Sequence, residues 1–123
     1  KNIKSLKHIV NNNIEYSHKY VDRWSIEKLL EQREKCDDII VIKNGYVTDS
    51  SFSNLIFKHP SGAWITPSTY LLKGTKRTCL LQNGTIIENE IAFKDISQYS
   101  EVRLINALLD IDDSEGIPIK NIF

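Results

Sequence analysis

Methionine is absent from the 123 residues, and net charge, cysteine and long apolar runs are all missing or scarce. The missing methionine carries the expectation that an N-terminal portion of a longer protein has been removed. Sixteen basic residues balance sixteen acidic ones, and they are dispersed rather than striped. The electrostatic footprint of a nucleic-acid or anionic-membrane binder is therefore not there. No apolar segment approaches the ~20 residues that span a bilayer, and the first residues lack the charged, apolar and small blocks of a signal peptide. Cys36 and Cys79 stand alone, without metal-type spacing or the density of a disulfide framework, which suits a reducing cytosol. These exclusions leave a soluble, cytoplasmic protein as the expectation. There is also no internal repeat and no low-complexity tract, so one mixed α/β unit is expected.

What is present is organised around residues 38–57. Ile39-Ile-Val-Ile42 is an unbroken β-branched run, suited to a strand covered on both faces. Asn44-Gly45 supplies a turn that needs positive φ, and Val47-Thr48-Asp49 leads on into Phe52, Leu55, Ile56 and Phe57. Before this hairpin, residues 1–14 read as a linker or incoming strand. A helix then runs from a cap at Asp22 through Ile26, Leu29 and Leu30 to Arg33. After it, His59–Gly62 reads as a turn, Ala63–Thr66 as a strand and Pro67–Gly74 as irregular. Thr75–Gln82 is predicted as a helix with Leu80 and Leu81 inward, stopped by Asn83-Gly84. Thr85–Phe93 is predicted as a strand, Lys94–Tyr99 as a helical turn, Val102–Ile105 as a strand and Ile117–Ile122 as an edge strand that tolerates Pro118.

Four features could carry chemistry, and each has a plain explanation. Lys19 is one of twelve lysines, most of which belong on a solvated surface. Asp49 beyond a hairpin is the type of residue that bonds its own backbone in a turn. Lys73-Gly-Thr-Lys-Arg77 opens a helix whose free N–H groups could meet an anion, although most helix starts meet water. Asn106 could simply end a strand. Asn83-Gly-Thr85 fits a glycosylation sequon but is better explained as a turn.

Together the four supply what pyridoxal phosphate requires: an amine for a Schiff base, a carboxylate for the pyridine nitrogen and donors for a phosphate. In this ordered series the chain resembles the C-terminal domain of the class IV pyridoxal-phosphate enzymes, which include aminotransferases and aminodeoxychorismate lyases. Lys19-Tyr-Val-Asp-Arg23 is similar to the lysine motif, with Arg23 in the lyase manner. Gly45-Tyr-Val-Thr-Asp49 followed by Ser53-Asn54-Leu-Ile-Phe57 resembles the second motif. Trp64-Ile-Thr-Pro67 is similar to the family's Thr-Pro segment, and Leu72-Lys-Gly-Thr-Lys-Arg77 to its phosphate loop. Ile105-Asn106-Ala107-Leu108 resembles the lyase-type Asn-Ala-Leu.

The resemblance implies a D-amino-acid aminotransferase-like fold, a mixed pseudo-barrel sheet flanked by helices, over residues 15–123. It implies Lys19 as the Schiff-base residue and Asp49 as the pyridine partner. Leu72 would lie on the ring, the Thr75 and Lys76 amides on the phosphate, and Arg23, Asn54, Asn106 and Ala107 nearby. An amino substrate, a smaller N-terminal domain and a homodimer are implied as partners. Three departures accompany it: Asp49 is shorter than the usual Glu, Trp24 stands where aminotransferases often have Tyr, and the N-terminal domain with its phosphate-binding arginine is missing. Transaminase and lyase both remain open, as does a non-catalytic interaction domain that keeps the fold.

Overall fold

The computed structural model describes residues 2–14, 23–113 and 115–123, with Arg23 described in its backbone alone. Strand β1 (Leu6–Val10) lies parallel to β2 (Asp38–Lys43), and helix α1 (Arg23–Leu30), tightened into a 3₁₀ turn at Glu31–Arg33, makes the crossover. Asn44 (φ 53°) and Gly45 (φ 85°) close a two-residue hairpin to β3 (Tyr46–Val47). Two successive positive φ values match the right-handed twist of the paired strands.

The second sheet has the order β6-β5-β4-β7-β8, built from β4 (Asn54–Lys58), β5 (Trp64–Pro67), β6 (Ile87–Asn89), β7 (Glu101–Ile105) and β8 (Ile117–Pro118). The two sheets meet at both margins. Val47 N–H donates to Ile91 C=O and Phe93 N–H to Gly45 C=O, while Phe123 N–H donates to Leu6 C=O and His8 N–H to Phe123 C=O. The result is the expected mixed pseudo-barrel.

Side-chain alternation assigns each strand face a neighbour. Ile40 and Ile42 face inward with Leu55, Phe57, Val102 and Leu104 in the central core. Ile39 and Val41, on the other face of β2, pack with Ile26 and Leu29 of α1. Ile56 and Ile105, on the outer face of the second sheet, pack with Leu80 of α2 (Thr75–Gln82). The layers therefore run helix, sheet, sheet, helix, and β2 is covered on both faces as its β-branched run requires. Among the described residues no helix is long and apolar enough to cross a membrane.

Three elements are shorter than the sequence pattern suggests. The strand expected through Thr85–Phe93 is paired as β6 only at Ile87–Asn89, because the Asn89 side chain takes the Glu90 N–H out of the ladder; the chain then pairs afresh with β3. The edge strand expected to Ile122 stops at Pro118 and coils into a 3₁₀ turn at Ile119–Asn121, which redirects Ile122 and Phe123 toward β1. The run from Val47 to Phe57 is divided at Ser50–Ser53, where serine hydroxyl and backbone bonds form a turn and leave Phe52 exposed. Leu80 is buried as expected, whereas Leu81 is only half-buried.

Candidate functional site

A bulge at Thr48 and Asp49, just before the turn that divides β3 from β4, aims Asp49. Val41 N–H donates to Asp49 C=O (2.9 Å), and Val41 C=O accepts from Thr48 N–H (2.9 Å) and from the Thr48 hydroxyl (2.7 Å). Two residues thus oppose one, a β-bulge of the kind that redirects a side chain. The Asp49 carboxylate is buried at 3% exposure. Its Oδ2 accepts the Leu71 and Leu72 backbone N–H groups, both at 2.9 Å, and its Oδ1 accepts Asn54 Nδ2 at 3.0 Å. Burial still dominates: loss of hydration pushes its pKa up from 3.8 to about 6, against the lowering effects of Leu72, Asn54, Leu71 and the Arg77 charge.

Asn54 opens β4 and joins the elements. Its Nδ2 also donates to Leu72 C=O at 2.8 Å, and its Oδ1 lies so close to Gly74 that a Cβ there would overlap it. Gly74 is the residue before α2, and it supplies no side-chain cap. Among the described residues the first-turn amides of Thr75 and Lys76 therefore have neither an intrahelical acceptor nor a capping side chain. Asn54 pairs with Ile105 across β4 and β7, and Asn106 beyond it donates from Nδ2 to Ser53 Oγ at 2.9 Å. Asn106 Oδ1 accepts the Leu108 N–H at 2.9 Å, which shapes the exposed turn containing Ala107. The Lys76 ammonium is bound to Asp110 at 3.2 Å. The Asp110 carboxyl lies below its usual value because the Ile111 N–H, and then Lys76, favour its charged form.

Asp49, Asn54, Leu72, the start of α2 at Thr75 and Lys76, and Asn106 thus form one connected patch, with Ala107 on the adjoining turn. Lys19 lies outside the described residues, as does the side chain of Arg23, whose backbone starts α1. Trp24 is 65% exposed and stacks with the Lys28 ammonium, 4.6 Å from its ring centre. Two buried groups escaped the sequence reading. Asp38 is bonded to the Ser51 hydroxyl at 2.6 Å, and burial raises its pKa; no pattern in the sequence marks that pair. Arg77 is 2% exposed, and its position three residues before the inward Leu80 is the signal that puts it on the buried face of α2.

The sequence model of the family described as amino-transferase class IV matches residues 11–122. The chain belongs to this family. A class IV relative of known structure, a provisionally named 4-amino-4-deoxychorismate lyase from Haemophilus somnus 129pt, superposes with a TM-score of 0.85 at 45% identity, covering 90% of this chain and 57% of that one. An uncharacterised protein of Haemophilus influenzae is 47% identical over 105 residues, which are 85% of this chain and 55% of that protein. A provisionally named aminodeoxychorismate lyase of Schizosaccharomyces pombe is 42% identical over 62 residues, 48% of this chain and 26% of that one. The chain spans a little over half the length of the two Haemophilus relatives. Class IV enzymes depend on pyridoxal phosphate.

The residues present fit that cofactor. Two carboxylate oxygens offer about four acceptor sites, and among the described residues Asp49 uses three of them, leaving room for one N–H donor. The uncapped start of α2, bared further by the missing side chain of Gly74, presents donors of the type that bind phosphate.

Proposed function

We propose that this chain is the cofactor-holding part, over residues 15–123, of a pyridoxal-phosphate-dependent class IV enzyme that acts on an amino substrate, with residues 1–14 leading in from an N-terminal domain. The observation that carries the reading is Asp49, a buried carboxylate with its pKa raised to about 6 and one acceptor site open among the described residues. Among the described residues Asp49 has no ion pair, although the Arg77 charge favours its ionised form; a buried anion is costly, and a protonated pyridine nitrogen would be a fitting partner for it. Asp49 would keep the proton on that nitrogen. Leu72 would cover the ring, and the Thr75 and Lys76 amides, with the Asn106 and Ala107 turn and Arg23, would hold the phosphate end. When bound, the cofactor supplies an electron-withdrawing ring that stabilises negative charge on the substrate's α-carbon. Lys19 would supply the amine that fastens the cofactor, and once the substrate amine takes its place, the Lys19 Nζ would accept and return a proton. The protein would act in the cytoplasm as a homodimer.

A lyase acting on 4-amino-4-deoxychorismate is favoured over a transaminase. The Asn106-Ala-Leu turn and the names of the relatives at 42–45% identity support it. One observation favours a non-catalytic reading: three protein donors on Asp49 are what an architectural carboxylate would also show.

The deciding experiment is borohydride reduction with added pyridoxal phosphate, followed by peptide mapping, on this chain joined to an N-terminal portion like that of its longer relatives. A cofactor adduct at Lys19, lost in Lys19→Ala, is expected; no specific adduct there overturns the reading. Repeated turnover of 4-amino-4-deoxychorismate with no 2-oxo acid added as amino acceptor is expected of a lyase, whereas a transaminase would stop after one equivalent per bound cofactor.

A further inference from the structure

Arg77 is buried in the first turn of α2, and two of its contacts fall on one segment. Its Nη2 donates to Pro67 C=O at 3.1 Å, its guanidinium carbon lies 4.1 Å from the centre of the Tyr70 ring, and its outer side is paired with Glu88 of β6. Its Nε is buried and has no acceptor among the described residues. The unpaired Nε costs stability, while the stacking on Tyr70 is a favourable contact that needs the planar guanidinium. Residues 67–72 are what it grips, and the far end of that segment carries the Leu71 and Leu72 N–H groups bonded to Asp49 Oδ2. Before Tyr70 the segment is also tied by the Ser68 N–H to Asn89 C=O and the Thr69 hydroxyl to Val47 C=O, and beyond it the Leu72 C=O accepts from Asn54 Nδ2 and the Gly74 N–H.

We propose that Arg77 is a positioning residue for Asp49: by holding Pro67 and Tyr70 it fixes the two backbone amides that orient the carboxylate. Its consequence for cofactor binding rests on the function proposed above; its consequence for the amides does not. The Arg77 charge also acts on Asp49 directly, favouring the ionised form.

The test is amide hydrogen exchange by NMR on the cofactor-free chain, comparing Leu71 and Leu72 with Leu55 in β4, alongside pyridoxal phosphate titrations. In Arg77→Gln, exchange at Leu71 and Leu72 is expected to speed up by about tenfold or more relative to Leu55, and the pH midpoint at which their amide shifts follow Asp49 is expected to rise. Arg77→Lys, which keeps the charge but not the planar contact, should speed exchange while holding the midpoint. Tyr70→Leu should reproduce the exchange effect and decides the matter if Arg77→Gln does not fold. Glu88→Gln should change neither reading. Unchanged exchange at Leu71 and Leu72 in folded Arg77→Gln or Tyr70→Leu overturns the proposal, whatever the midpoint does. Faster exchange with no cofactor adduct at Lys19 in any version of the longer protein would leave the clamp standing and remove the proposed function instead.

Discussion

Asn54 donates one carboxamide hydrogen to Asp49 at 3.0 Å and the other to Leu72 C=O at 2.8 Å. Both neighbours are acceptors, so only one orientation of the carboxamide works, and it leaves Oδ1 against Gly74. Asn54→Ala removes both donors and leaves the Leu72 carbonyl and one face of a buried carboxylate with fewer partners. A loss of about 1–3 kcal/mol of stability is expected by urea denaturation, with a further rise in the Asp49 pKa. Wild-type stability in Asn54→Ala would show that the pair is not formed.

Asp49 makes stability depend on pH in a direction opposite to that of an ion-paired carboxylate. The folded state holds its proton up to about pH 6, whereas the unfolded chain releases it near 3.8. Between those values the folded state binds more protons, so the Asp49 contribution falls as pH rises and levels off above the folded pKa. Two units correspond to about 3 kcal/mol. Asp49→Asn cannot titrate, so the stability of wild type minus that of Asp49→Asn is expected to decline by up to that amount between about pH 4 and pH 7. A difference that stays level across this range would contradict the burial argument.

Gly74 has φ −72° and ψ 150°, values open to any residue, so its requirement is one of space. Gly74→Ala should cost about 1–3 kcal/mol through overlap with Asn54 Oδ1, and the cost should shrink when Asn54 is also Ala. Thermal melts of the two single variants and the double variant measure this coupling. Additive losses would place the strain elsewhere.

Phe57 is fully buried between the sheets among Leu6, Ile40, Leu55 and Val102. Phe57→Ala should cost about 3–5 kcal/mol, whereas Phe52→Ala, at a side chain 46% exposed, should cost much less. Equal losses in denaturant titrations would contradict the assignment of inner and outer faces.

The elements with strong local signals were legible in the sequence. The Ile39–Ile42 run, the Asn44-Gly45 turn and the span of α2 at Thr75–Gln82 follow from β-branching, positive φ and helical spacing. Local patterns could not give the bulge at Thr48 and Asp49, because it depends on how Val41 of the facing strand divides its bonds. For the same reason Ile117–Ile122 read as a longer strand than it forms, since Ile122 and Phe123 are drawn to β1 from the far end of the chain. In the site, the residue types of Asp49, Asn54 and Leu72 were readable, but their hydrogen bonds were not. Arg77 is readable as part of the Leu72–Arg77 motif and, by its spacing to Leu80, as an inward position, but its contacts with Pro67 and Tyr70 depend on how the fold brings them together.

The junction between Leu6 and Phe123 ties the order of synthesis to the order of assembly. β1 can pair with β2 as soon as residue 43 has emerged, but its outer margin waits for Phe123, whose carbonyl meets His8 across 115 positions of sequence. A ribosome adding roughly 5–20 residues per second leaves that margin uncovered for several seconds. During that interval the nascent chain offers an unpaired strand to other nascent copies. Closure of the barrel at this seam is therefore expected late in refolding, because it joins residues 115 positions apart.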